Sequence, residues 1–222
     1  MKAEHIIVFS HGFGTRKDDR GLFSIIANEF AQTPFFLFDY NRVDEERNIL
    51  TVRPLSEQAK MLNDVISKSC LDNPNAMVDI IAHSQGCLVV ALAKPLGIRK
   101  IVFITPSLDS DIEHTINMFK ERRGTEINLL GVSKLARKDG STTMVPAEFW
   151  EERKKINPIP LYNELCLHTD LLIINAKQDD VMGKVDARGL DERIKVISLD
   201  GDHQFYGEAR APLIEEIKLF LV

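Results

Sequence analysis

Short apolar runs recur along the chain, each followed by a polar turn: residues 5–10 (HIIVFS), 35–39 (FFLFD), 77–81 (MVDII), 100–104 (KIVFI), 170–176 (DLLIINA) and 194–199 (IKVISL). Runs this brief, rich in β-branched residues and apolar throughout, read as strands buried on both faces, as in a parallel sheet. Between them lie segments whose apolar positions return every three or four residues, which predicts helices over 22–31, 54–69 and from Cys87 onward, with a final one over 208–222. Pro95 and Gly97 stop the third of these helices. Strand and helix in alternation argue for an α/β fold, a mostly parallel sheet flanked by helices on both faces. Residues 40–53 turn polar and charged, so they are expected to form a surface loop outside the core.

From residue 107 to about 168 the rhythm breaks. A helix over 111–123, a hairpin turning at Asp139-Gly140 between 127–135 and 141–145, and a helix over 147–156 are expected there. The segment carries nine Lys and Arg against ten Asp and Glu, a mixed solvated surface and not a basic patch. It is expected to be a lid over the carboxyl edge of the sheet, where open α/β sheets hold ligands, with a small structural subdomain as the alternative. Phe149 and the single tryptophan, Trp150, are its candidate substrate contacts.

The bulk numbers narrow the class. A length of 222 residues with 44% hydrophobic content suits one domain, 1–222, with a sizeable core. The balance of 28 Lys and Arg against 33 Asp and Glu, net −5 with no long basic run, leaves nucleic acid without an electrostatic footprint. The apolar start, Ile6 to Phe9, is too short for a signal segment or a membrane span, so a cytoplasmic protein is expected. Cys70, Cys87 and Cys166 are odd in number and show no CxxC spacing, which fits reduced thiols.

The chemistry centres on Ala82-His83-Ser84-Gln85-Gly86, set between the strand at 77–81 and the helix that begins near Cys87. A serine on a tight strand-to-helix turn exposes its hydroxyl above the sheet, and the next amide, that of Gln85, lies near the helix N-terminus where negative charge is favoured. Such a hydroxyl needs a base, and the base needs a group that orients it. Asp179 follows the strand at 170–176 and His203 the strand at 194–199, so both loops fall on the edge of the sheet that carries Ser84. Asp180 and Asp109 compete for the acid's place. His83 is expected to pack against the turn, and His11 to shape its loop through hydrogen bonds.

HGFG at 11–14, AHSQG at 82–86, NAKQDDVM at 175–182 and GDHQF at 201–205, in the order Ser, acid, His, resemble the α/β-hydrolase superfamily over nearly the whole chain. The resemblance is to its small esterase, acylglycerol-lipase and serine-aminopeptidase-like branch. It implies a triad of Ser84, Asp179 and His203, an oxyanion hole formed by the amides of Phe13 and Gln85, and a lid after the sixth family strand, matching 107–168. It also implies acyl-enzyme chemistry on a small-molecule carboxylic ester without metal or organic cofactor. A thioester or a small peptide or amide is the next choice of substrate, and a non-catalytic binding protein is the rival. Two departures stand out. The strand at residue 5 takes the place of the family's third, so about six strands are expected, and Asp39-Tyr40-Asn41-Arg42-Val43-Asp44 lacks the glycines of the family's DxxGxGxS loop. Dehalogenase-like chemistry would need a carboxylate where Ser84 stands.

Overall fold

In the computed structural model, which describes residues 5–30, 32–109, 112–183 and 186–222, the alternating pattern becomes a six-stranded sheet in the order β10-β9-β6-β5-β1-β2. Its strands are β1 (His5–Ser10), β2 (Phe35–Phe36), β5 (Met77–His83), β6 (Ile98–Ile104), β9 (Asp170–Ala176) and β10 (Lys195–Leu199), and every pairing is parallel. Successive side chains point to opposite faces. Ile6 and Val8 of β1 therefore join a core on one side with Ile80 and Ile101, while Ile7 and Phe9 join a second core with Ile81 and Val102. Helices α1 (Leu22–Asn28) and α7 (Arg210–Leu221) seal the second core with Leu22, Ile26, Leu213 and Ile217. Helices α2 (Leu55–Asp72) and α3 (Gln85–Ala93) seal the first, where α3 is buried nearly all round.

Two expectations shift. The run 35–39 pairs only at Phe35 and Phe36, because β2 is the outer strand and has one neighbour, β1. Residues 40–53 are not a surface loop. They contain β3 (Arg42–Asp44) and β4 (Ile49–Thr51), an antiparallel hairpin. Its charges face water while Tyr40, Leu50 and Val52 are buried.

That hairpin has a partner in the segment that follows β6. After α4 (Ile112–Lys120), β7 (Ser133–Ala136) and β8 (Thr142–Val145) pair about Asp139-Gly140, and β8 lies parallel to β4. The result is a second sheet, β3-β4-β8-β7, built from two segments about ninety residues apart in sequence. The expected strand at 127–135 narrows to 133–136; Ile127 instead packs against the core beside it. Helices α5 (Ala147–Lys155) and α6 (Pro158–Leu165) complete the insertion. Helix α6 packs on α3, and its Tyr162 stacks edge-on to Phe103 and donates to the Ser107 carbonyl at 3.0 Å. Among the described residues no helix is long and apolar enough to cross a membrane.

Candidate active site

The turn between β5 and α3 is possible only because of Gly86. A Cβ there would sit 2.1 Å from the Ser10 carbonyl oxygen and 2.8 Å from that of His11, so only glycine lets α3 lie this close to the end of β1. Ser84 takes the bend itself, at φ 54° and ψ −124°, a region that non-glycine residues seldom occupy. The distortion lifts Ser84 from the sheet edge to the N-terminus of α3. As the first helical residue, Gln85 has an amide without an intrahelical acceptor.

The loops after β9 and β10 are stitched together. The Lys177 amide donates to Leu199 O, the Gln178 amide to Gly201 O, and the Gly201 amide to Gln178 Oε1. This lattice fixes Asp179 and His203 relative to one another. His203 Nε2 lies 3.0 Å from Ser84 Oγ, and His203 Nδ1 lies 2.9 and 3.1 Å from the two oxygens of Asp179. Asp179 Oδ1 also accepts from the amides of Val181 and Met182, at 2.8 and 2.7 Å, so the carboxylate cannot swing away. Of the three candidate acids it is Asp179 that reaches the imidazole. Asp180 is exposed on the same loop, and the Asp109 carbonyl is engaged with Ser107 and Arg153. Asp202 shapes the histidine's turn by accepting from the amides of Gln204 and Tyr206.

Burial lowers the His203 pKa below the ordinary histidine value, with Asp179 opposing the shift and His83 adding to it. Burial would raise the Asp179 carboxyl, but the hydrogen bond and charge of His203 and the two loop amides bring it lower than usual. A neutral imidazole with its proton on Nδ1, facing a carboxylate, leaves Nε2 free to accept from the serine.

Behind this trio lies a pair that the sequence did not disclose. Asp19 Oδ2 accepts from the Gly12 amide at 2.7 Å and lies 2.8 Å from His83 Nδ1; His83 Nε2 donates to the His203 carbonyl at 2.9 Å. Both side chains are buried. Burial works against charge on each, yet their mutual attraction wins, holding Asp19 well below the carboxylate range and His83 above its ordinary value. His83 thus does more than pack against the turn: it ties the serine's strand to the backbone of the histidine's loop. Asp19 stands in a charged run, Lys17 to Arg20, that looks like solvated loop in sequence. His11 shapes its loop as expected, with Nδ1 donating to Gly12 O and Nε2 accepting from the Tyr40 amide.

Phe13 follows His11-Gly12, next to the serine: a Cβ on Gly12 would lie 3.2 Å from Ser84 Cβ. Its ring packs 5.3 Å from Phe149 and 6.4 Å from Trp150, and all three line a cavity of about 480 Å³ that opens onto Ser84 and His203. Phe149 and Trp150 are almost wholly buried, so they form its floor, with the Trp150 indole donating to Ser133 Oγ.

No family model matches the chain, and no curated protein matches it in sequence. Solved structures do. An esterase domain from a Rhodothermus marinus protein superposes with a TM-score of 0.67 over 98% of this chain and 86% of its own, at 17% identity. Est1E from Butyrivibrio proteoclasticus gives 0.70 over 100% and 88%, at 15% identity. This is the α/β-hydrolase fold. A monoacylglycerol lipase from Paleococcus ferrophilus shares it at 0.60 and 13% identity, over 98% of this chain and 96% of the lipase. With the strands parallel, the turn that carries Ser84 and the loops that carry Asp179 and His203 leave the sheet at one edge.

Proposed function

We propose that the chain is a serine hydrolase that cleaves a small carboxylic ester by acyl transfer. The observation that carries this reading is the unbroken line from Ser84 Oγ through His203 to Asp179, opening onto an apolar-floored cavity. In the proposed cycle His203 Nε2 takes the proton of Ser84 as Oγ attacks the ester carbonyl. Asp179 holds the imidazole in the Nδ1–H tautomer and steadies the imidazolium that forms. The amides of Phe13 and Gln85 donate hydrogen bonds to the tetrahedral oxyanion and stabilise its charge. His203 then returns the proton to the leaving alcohol, and water, activated by the same imidazole, releases the acyl group from Ser84. Residues 107–168 act as the lid, within one domain, and set which acyl groups reach the serine.

The esterases and the lipase that share the fold support an ester over an amide. A fluorophosphonate probe tests the proposal: wild type labels at Ser84 and Ser84→Ala does not. Ester turnover drops by about ten-thousand-fold in Asp179→Asn, while Asp180→Asn stays within about twofold of wild type. Equal labelling of wild type and Ser84→Ala, or a collapse confined to Asp180→Asn, would sink the assignment.

A further inference from the structure

Three arginines from separate segments, Arg20, Arg122 and Arg137, line the cavity beside Ser84. Arg137, at the turn between β7 and β8, is half-buried, with its guanidinium 5.3 Å from the Phe119 ring centre and 5.8 Å from that of Phe13. Its Nη2 donates to the Phe13 and Gly14 carbonyls, so the charge sits directly behind the loop that carries the Phe13 amide. Arg20 and Arg122 stand close enough to repel it, and burial together with that repulsion lowers its pKa to about 10. The Arg122 guanidinium sits over Phe119, 4.4 Å from the ring centre, and Arg20 is presented by a left-handed backbone, φ 59° and ψ 35°. All three line the cavity with Ser84.

Elsewhere the protein pairs its arginines readily, as at Arg16–Glu45, Arg99–Asp79 and Arg188–Asp186. Among the described residues, none of Arg20, Arg122 and Arg137 makes an ion pair. Five aspartates share the cavity, and among the described residues none forms an ion pair with these arginines: Asp180 is exposed on its loop, and the Asp109 carbonyl accepts from Ser107 and Arg153. Asp139, which offsets part of the charge on Arg137, holds the Ser141 amide and hydroxyl, Asp202 holds two turn amides, and Asp19 is paired with His83. Arginines without ion-pair partners, Arg137 and Arg122 half-buried and Arg20 exposed, beside a catalytic centre and lining its cavity, fit a ligand that brings negative charge.

We infer that the substrate is an ester that carries an anionic oxygen group, a carboxylate or a phosphate, a short chain away from the scissile carbonyl, seated against Arg137, Arg20 and Arg122. The inference rests on the hydrolase reading for its ester and adds the anion. The apolar floor of Phe13, Phe149 and Trp150 takes the methylene chain between the two ends, and the cavity of about 480 Å³ suits a small molecule.

The test is a ratio, so any general damage to catalysis cancels. Wild type at low salt hydrolyses methyl hydrogen adipate with a kcat/KM about tenfold or more above that for methyl hexanoate, and added salt narrows the gap. Arg137→Met brings the ratio close to one and Arg137→Lys retains part of it; Arg20→Met and Arg122→Met, nearer the surface, serve if Arg137→Met does not fold. Inhibition by free adipate with none by inorganic phosphate at equal ionic strength assigns a carboxylate site, and inhibition by both assigns the wider oxyanion class. A wild-type ratio near one, or a ratio unmoved in the arginine variants, overturns the inference. Calorimetric titration of Ser84→Ala with the same two esters keeps the question separate from catalysis. If wild type neither turns over esters nor labels with the fluorophosphonate, the hydrolase reading fails. In that case tighter binding of the hemi-ester still upholds the anion site, and equal or absent binding of both rejects it.

Discussion

His203 and the Asp19–His83 pair respond to pH in different ways. Because burial lowers the His203 value, the imidazole remains neutral, and able to act as base, to lower pH than a free histidine. The acid limb of kcat/KM therefore falls with a midpoint below 6.5, the ordinary value; a midpoint above it would mean that another group titrates. The pair bears on stability. Asp19 is lowered in the folded state, so its contribution is present above the ordinary carboxylate value and fades as pH falls through the folded one. His83 is raised, so its contribution is complete below the ordinary histidine value and fades as pH rises through the folded one. The pair therefore stabilises most between those two limits. Asp19→Asn leaves His83 buried without a counter-charge and costs about 3–5 kcal/mol of folding stability at mildly acid pH, measured by urea unfolding. A cost below about 1 kcal/mol would show that the pair is not ionised. That Ser84, Asp179 and His203 meet at one place was legible in the sequence because each follows a strand run at a strand end. Asp19 was not, since nothing in a charged loop marks the one carboxylate that turns inward.

Among the elements, the contact between α3 and the end of β1 sets the position of Ser84. Gly86→Ala would drive a methyl group into the Ser10 and His11 carbonyls, and neither can retreat: Ser10 Oγ binds Tyr40 Oη and Gly86 O, and His11 binds Gly12 and Tyr40. The expected cost is about 3 kcal/mol in stability, with loss of fluorophosphonate labelling in whatever fraction folds. Wild-type stability with full labelling would show that the helix can shift. The strands of the main sheet were readable because burial on both faces makes them continuously apolar. The β3–β4 hairpin was missed because each strand is three residues long and solvated on one face, so only the alternation Leu50, Thr51, Val52 betrays it. Its partner β8 lies far along the chain, and pairing across that distance leaves no local trace.

Taken whole, the molecule joins two sheets through shared walls: the β1 loop meets the insertion through Phe13, Phe149 and Arg137, and α6 packs on α3. The insertion should therefore not melt ahead of the body. Emission from Trp150, the sole tryptophan and a buried member of the insertion, and far-ultraviolet dichroism from the whole chain should trace one urea transition with the same midpoint. An earlier Trp150 transition would reveal an insertion that unfolds alone. In the sequence the break in rhythm sets residues 107–168 apart. Its seating on residues 42–51 arises from tertiary pairing that only the folded chain displays.

The left-handed bend at Ser84 also bears on how such a chain can change over time. A residue at φ 54° and ψ −124° is one that stability alone would replace with glycine, since any Cβ there is carried at a cost of about 1–3 kcal/mol. The drift most favourable to the fold is thus the one that removes the Ser84 hydroxyl, on which the proposed chemistry depends. A lineage under no demand for chemistry has a short downhill path, one substitution long, to a sturdier and silent protein.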